Sequence, residues 1–229
     1  MERLARTKLT RRQLQRAAVA LPAPLALALL SGKTAGITFA RSTDETATPP
    51  AGATPILAPT PACGDDDDLE TTLAQTEGPF FTPNSPERSS LLEPGLPGTK
   101  LVVTGYVYSV DCRPVKKALL DFWQANDAGQ YDNAGFTLRG HQFTDDDGRY
   151  ELTTIVPGLY TGRTRHIHVK VQAANGPVLT SQLYFPDEPA NATDGIFDPA
   201  LVMDLQDAKE KNEGQVGFFT FVVADAAAG

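Results

Sequence analysis

Two of the chain's three histidines lie one residue apart, in His166-Ile167-His168. Side chains at positions i and i+2 of a β-strand point to the same face, so this spacing would present two imidazoles side by side. Neutral imidazoles are good ligands for transition metals. The pair alone is equally compatible with two ordinary hydrogen-bonded histidines, so a metal site needs further donors.

Two tyrosines are the best candidates for those donors. The sequence has no His-Glu-x-x-His motif, and no Asp or Glu at close spacing completes a zinc site around the pair. Tyr131 follows Trp123 by eight residues, and Tyr160 precedes His166 by six. A phenolate is a hard, anionic oxygen donor that favours Fe(III). Most single tyrosines are half-buried sheet residues, so the wider sequence context has to decide.

The elements that must position these side chains are short β-strands. Stretches rich in β-branched and aromatic residues alternate with turns rich in Pro, Gly and Asp. The clearest of about seven predicted strands lie at 101–110, 118–124, 149–155, 166–172, 178–185 and 216–223. A short helix is predicted near 199–211. Because no helices separate the strands, the predicted fold is all-β: an antiparallel β-sandwich with long loops and at most one or two short helices.

The first 40 residues differ in charge from the rest of the chain. They hold seven Lys or Arg against one Glu, and the other 189 residues hold 13 against 27 Asp or Glu. The apolar run 17–30 is too short, and too interrupted by proline, to cross a membrane. Adjacent Arg11 and Arg12, followed by Leu14 and this run, resemble a twin-arginine export signal. We therefore predict a signal peptide over 1–40 and a periplasmic or extracellular location.

The next segment, 41–72, is rich in Pro, Thr and Ala and is predicted to be a flexible leader to a folded body over 73–229. The chain's two cysteines are Cys63 and Cys112. Export would place both in an oxidising compartment, so a disulfide from leader to body is predicted. A two-cysteine metal site is the alternative, but no histidine or further cysteine flanks Cys63.

Charge and composition exclude several classes of function. The acidic body would repel phosphate backbones, which argues against nucleic-acid binding. A content of 41% hydrophobic residues excludes a fully disordered chain. No stable membrane insertion is expected, and the sequence leaves a homo-oligomer open.

Seven short motifs in order carry a family resemblance. They are TEGPFF at 76–81, WQANDAGQY at 123–131, FTD and GRY between 143 and 150, TIVPGLY at 154–160, RTRHIH at 163–168 and QLYF at 182–185. Together they resemble the intradiol ring-cleavage dioxygenases, especially the protocatechuate 3,4-dioxygenase type and its exported relatives. The resemblance covers about 73–223. It implies an oxidoreductase that cleaves a catechol-type ring between its two hydroxyls with O2, giving a cis,cis-muconate-type product.

The resemblance also implies roles for individual residues. It implies one non-haem Fe(III) per chain, with the ligands Tyr131, Tyr160, His166 and His168. Tyr160 would be the ligand that leaves and acts as a base when substrate binds. Arg163 would stabilise charge on the substrate, and Gln182 would line the same pocket. Trp123 would pack beneath the site.

Two residues fall outside this pattern. Arg165 stands where the family has a small residue, and its charge could be turned outward or help to hold an acidic substrate. His141 has no matched role and is interpreted as a surface histidine or as one that contacts a ligand side chain. Two other functions stay open from the sequence: an exported, non-catalytic β-sandwich binding module on the same scaffold, and a zinc hydrolase using His166 and His168.

Overall fold

Nine strands and two single-turn 3-10 helices form in the residues that the computed structural model describes, 69–208 and 214–224. The strands are β1 Lys100–Ser109, β2 Leu119–Trp123, β3 Arg139–Phe143, β4 Arg149–Ile155, β5 His166–Gln172, β6 Val178–Tyr184, β7 Asp204–Asp207, β8 Gln215–Phe218 and β9 Phe221–Val223. The 3-10 helices are Pro189–Ala192 and Pro199–Leu201. The predicted signal peptide, most of the predicted leader and Cys63 lie outside the described residues.

The strands form two sheets, which confirms the predicted all-β sandwich. One sheet has the order β4-β1-β8-β7, with β9 also paired to β1, and the other has the order β3-β2-β5-β6. The second sheet is antiparallel throughout. In the first sheet β1 is antiparallel to β4 but parallel to β8 and β9. The described residues include no helix long and apolar enough to cross a membrane.

The core between the sheets determines which way the histidines of β5 point. Ile167, Val169 and Val171 are fully buried in the core. Burying each such side chain stabilises the fold by roughly 1.5–3 kcal/mol. Because strand side chains alternate, anchoring these three residues in the core places His166 and His168 on the outer face of the four-stranded sheet.

The segment that precedes β1 covers this outer face. It bonds to one edge strand of the sheet through Gln75 N and Thr180 O (2.8 Å), and to the other through Arg88 N and His141 O (2.8 Å). Between these points it passes over the histidines, since a Cβ on Gly78 would lie 3.5 Å from His168 Cε1. The two histidine side chains are therefore buried, although they lie outside the sandwich core.

The elements of the structure differ from the predicted ones at three places. β3 was not predicted, because Arg-Gly-His-Gln lacks the apolar alternation of a strand. The single strand predicted at 216–223 is two strands, β8 and β9. The helix predicted near 199–211 is limited to the turn Pro199–Leu201, which Asp198 caps through a bond from Ala200 N, and residues 204–207 form β7 instead.

The folded domain extends further toward the N-terminus than predicted. Leu69 N donates to Val110 O (2.7 Å), and Thr72 N donates to Val222 O (2.9 Å). Leu69 and Thr72, at the end of the predicted leader, therefore bond to the body. Cys112 is disulfide-bonded. Its predicted partner, Cys63, is not among the described residues, so the pairing stays a prediction.

Candidate metal centre

The structure brings the four predicted ligands into one site. His166 Nε2 lies 3.1 Å from Tyr131 Oη and 3.1 Å from His168 Nε2. The ring of Tyr160 packs edge-on against that of Tyr131, with 5.7 Å between centroids. Three separate segments of the chain thus converge: β5, the loop after β2 and the loop after β4.

Hydrogen bonding and packing orient the two imidazoles. His166 Nδ1 lies 2.6 Å from Thr164 O, and a carbonyl can only accept, so Nδ1 carries the proton and Nε2 presents a lone pair to the site. His168 stacks on Trp123, with ring centroids 4.8 Å apart and planes 6° apart. Trp123 therefore packs against the site as the resemblance implies. His166 Nε2 faces both Tyr131 Oη and His168 Nε2.

Burial sets the protonation states of these side chains. It lowers the pKa of His166 to about 4, against the opposing effect of the hydrogen bond to Thr164. Burial also lowers the pKa of His168, and the neighbouring His166 lowers it further. Burial raises the pKa of Tyr131, although Arg163 and Arg139 partly offset this. At neutral pH the site therefore holds two neutral imidazoles and a phenol that ionises only beside a cation.

This donor set fits a hard, highly charged metal ion. The described part of the chain has no group of three or more His, Cys, Asp or Glu side chains that could hold a metal. Tyr131 Oη, 3.1 Å from His166 Nε2, is an oxygen donor beside the two imidazoles. Phenolates favour Fe(III), so these residues fit that ion.

Asn126 holds together the two loops that carry the tyrosines. Its Oδ1 accepts from Ala128 N (3.0 Å) and Gln130 N (2.9 Å), which shapes the turn before Tyr131. Its backbone oxygen accepts from Gly158 N at 2.7 Å, which joins this turn to the loop of Tyr160. Sequence reasoning missed Asn126; the only signal for it was its place in the WQANDAGQY motif.

The contact between the two loops requires glycine. A Cβ on Gly129, which has φ +77°, would collide with the carbonyl oxygen of Leu159. A Cβ on Gly158 would collide with the carbonyl oxygen of Asp127. Backbone therefore packs directly on backbone, and this close approach fixes the separation of Tyr131 and Tyr160.

Comparison with known proteins agrees with this geometry. The model of a family described as "Dioxygenase" matches residues 76–223, which is more than half of the chain. The chain belongs to the intradiol ring-cleavage dioxygenase family. The chain is 55% identical to the dioxygenase domain of a dioxygenase carbohydrate-binding protein fusion from the cellulolytic bacterium Streptomyces sp. SirexAA-E, with a TM-score of 0.65, covering 68% of this chain and 99% of that one.

More distant relatives are named for several catechol-type reactions. The chain is 36% identical over 118 residues to the protocatechuate 3,4-dioxygenase beta chain of Burkholderia cepacia, covering 44% of this chain and 50% of that one. It is 30% identical over 171 residues to hydroxyquinol 1,2-dioxygenase of Rhizobium sp. (strain MTP-10005), covering 62% and 58%. The chain thus spans between half and three fifths of the length of these two curated relatives.

The other residues that the family resemblance implicates lie beside the ligands. Arg163 Nη2 donates to Gln182 Oε1 at 2.7 Å. Gln182 is fully buried, pairs with His168 across β5 and β6, and donates from Nε2 to Thr76 O at 2.9 Å. In this family member the guanidinium and the amide thus form one hydrogen-bonded unit next to the histidines.

Arg165 and His141 take structural positions outside the ligand set. Arg165 Nε donates to Glu188 Oε2 at 3.0 Å, and its guanidinium also bonds to Pro157 O. It is therefore neither turned outward nor free to hold an acidic substrate, and it ties down the loop that leads to Tyr160. His141 Nδ1 lies 3.2 Å from Ser85 Oγ, on the far part of the sheet face.

The buried histidines predict a pH dependence for the iron-free protein. The pKa of His166 is lowered from its ordinary value of 6.5 to about 4 in the folded protein. Between these two pH values the unfolded chain therefore binds more protons than the folded protein. The free energy of unfolding should therefore fall by a few kcal/mol as the pH is lowered through this window. Urea unfolding at a series of pH values measures it.

Two variants isolate the contribution of the site to this pH dependence. His166→Gln should weaken the dependence in this window, since one of the two buried imidazoles is removed while His168 remains. His141→Gln should keep it, because His141 is not part of the buried pair. Equal pH profiles for the wild type and His166→Gln would contradict the assignment.

Proposed function

We propose that the protein is a non-haem Fe(III) intradiol dioxygenase that cleaves a catechol-type ring between its two hydroxyls with O2, giving a cis,cis-muconate-type product. The observation that carries this proposal is the convergence of Tyr131 Oη, His166 Nε2 and His168 Nε2 in successive steps of 3.1 Å. Membership of the intradiol family supports it.

The ligand set would be Tyr131, Tyr160, His166 and His168. When bound there, Fe(III) would supply a Lewis acid that accepts both oxygens of a catechol and makes the ring reactive toward O2. The two phenols supply negative charge to offset that of the ion, and the two imidazoles supply neutral nitrogen donors.

The surroundings of the two tyrosines support different roles for them. Tyr131 bonds to His166 and stacks on Phe80, with ring centroids 4.5 Å apart, which holds its phenol in place. The hydroxyl of Tyr160 makes no hydrogen bond to the described residues. Its ring packs edge-on against that of Phe80, with 5.3 Å between the ring centroids. Tyr160 is thus the freer phenol, suited to swing away and take a proton from a catechol hydroxyl.

Arg163 would act on the substrate through its permanent charge. A guanidinium stays protonated at any relevant pH, so it can stabilise negative charge that develops on the aromatic ring. Its backbone N donates to Tyr160 O at 2.9 Å, which keeps it close to the phenol that would exchange with substrate.

The test of this function is purification with iron followed by exposure to catechol. We expect visible absorption from tyrosinate bound to Fe(III), uptake of one O2 for each catechol, and both atoms of isotopically labelled O2 in a ring-opened product. The matched control is His166→Ala with His168→Ala, which should be colourless and inactive. A wild type that stays colourless after iron loading and consumes no O2 would contradict the proposal, and ligand binding without O2 uptake would indicate the binding module instead.

We also propose that the protein is exported, on the evidence of the twin arginines in its sequence. Replacing Arg11 and Arg12 with Lys should leave the protein in the cytoplasm with its iron site intact. Mature protein outside the cytoplasm in that variant would contradict the twin-arginine route.

A further inference from the structure

A buried carboxylate, which sequence reasoning missed, lies behind Arg163. Asp194 follows the 3-10 helix Pro189–Ala192, and its side chain is 2% exposed. Its Oδ2 accepts from Arg163 Nε (2.8 Å) and from Thr164 N (2.9 Å). Its Oδ1 accepts from Ile196 N (3.0 Å). One carboxylate therefore joins the 189–196 loop to the segment just before β5 that contains Arg163.

A second contact fixes the other end of the guanidinium. Arg163 Nη2 donates to Gln182 Oε1, and Tyr184 Oη donates to the same oxygen at 3.1 Å. Arg163 Nη1 makes no hydrogen bond to the described residues. Because a guanidinium is planar, holding Nε and Nη2 also fixes the direction of Nη1. The Nε and Nη2 atoms of the guanidinium are thus held by hydrogen bonds, and Nη1 is left to donate.

The charges of the pair also match. Burial on its own would raise the pKa of Asp194, but hydrogen bonds from Thr164 and Ile196 and the charge of Arg163 outweigh it and lower that pKa. The side chain of Arg163 is only 19% exposed, and a charge in such a position needs a partner. An ionised Asp194 supplies one without occupying the Nη1 edge.

We propose that Asp194 is a positioning residue for the reaction: it holds the guanidinium of Arg163 so that Nη1 can donate to the negative charge that develops on the substrate. Asp194 itself would touch neither metal nor substrate. The inference rests on the proposed function, because it assigns Asp194 a part in that same reaction. It predicts an effect on turnover that is transmitted only through Arg163.

The first test compares Asp194→Asn with Glu188→Gln. Each removes the charge of an acid that pairs with a neighbouring arginine, since Glu188 pairs with Arg165. With catechol as the probe, Asp194→Asn should lower kcat by about tenfold, because a pre-oriented charge is lost. Iron content, visible absorption and anaerobic catechol affinity should stay within about twofold of wild type. Glu188→Gln should keep kcat.

A double-mutant cycle separates positioning from a general structural role. Arg163→Ala should lower kcat, and adding Asp194→Asn to it should cause no further loss. The proposal would be overturned if the double variant lost kcat by the product of the two single losses. A wild-type kcat in Asp194→Asn would overturn it as well. Thermal unfolding of the iron-free proteins checks that the variants fold. Should Asp194→Asn not fold, Asp194→Glu replaces it in the cycle, with a smaller loss of kcat and the same lack of additivity expected.

The outcomes also distinguish this proposal from the proposed function. A wild type that consumes no O2 with catechol contradicts the dioxygenase assignment itself. A wild type that turns over catechol together with an Asp194→Asn variant of equal kcat contradicts only the role of Asp194.

Discussion

Replacing Tyr131 with Phe is expected to weaken iron retention by at least about tenfold and to change the visible absorption even without substrate. The phenol of Tyr131 is partly buried, lies 3.1 Å from His166 Nε2 and stacks on Phe80, so under the proposed function it would stay bound throughout the reaction. His168→Ala should behave similarly, because it removes a buried imidazole from the same proposed ligand set.

Replacing Tyr160 with Phe is expected to affect substrate binding rather than iron retention, in contrast to Tyr131→Phe. Iron should be largely retained by Tyr131, His166 and His168, while the complex with catechol should form more slowly, by about a hundredfold, because an internal base is lost. Iron content, visible spectra and the anaerobic rate of catechol binding measure the difference between the two variants.

Tyr184→Phe is the matched control for both tyrosine variants. Tyr184 is buried, and its ring centroid is 6.5 Å from that of His166, yet its hydroxyl bonds to Gln182 and Ile196 O rather than joining the ligand set. It should keep wild-type iron content and absorption. Wild-type spectra and turnover in both Tyr131→Phe and Tyr160→Phe would show that neither tyrosine is a ligand.

The parts of this site that the sequence predicted are those with local patterns. Strand alternation is enough to place Ile167 in the core and the flanking histidines together on the other face. The tyrosines had no such pattern, because each lies in a loop whose path depends on contacts with another loop. Their assignment came from the family resemblance, and the shared position of their rings became visible only in the fold.

Other features depended on contacts between residues that are distant in sequence. Asp194 lies 31 residues from Arg163, in a loop with no periodicity that would indicate a buried carboxylate. The departure at Arg165 was visible in the sequence, but its explanation required the position of Glu188. β3 begins with a buried Arg139 because this side chain faces the covering segment and bonds to Phe80 O (2.6 Å).

Replacing Gly129 with Ala is expected to have the largest effect on stability among the substitutions considered. The new Cβ would collide with the carbonyl oxygen of Leu159, so the loops that carry Tyr131 and Tyr160 would have to separate. The backbone at Gly129 also has φ +77°, which costs an L-residue about 1–2 kcal/mol by itself. We expect a loss of about 3 kcal/mol or more in the free energy of unfolding, together with loss of iron.

Gly162→Ala separates the collision from the backbone strain. Gly162 has φ +78°, almost the same as Gly129, but a Cβ there would meet no atom within 4 Å. It should therefore lose only the 1–2 kcal/mol of the strained backbone and keep its iron. The difference between the two variants in urea unfolding measures the contact between the loops, and their iron contents show whether that contact holds the tyrosines at the metal. Equal losses in both variants would mean that backbone conformation alone requires glycine at 129, and that the loops can move apart without disturbing the site.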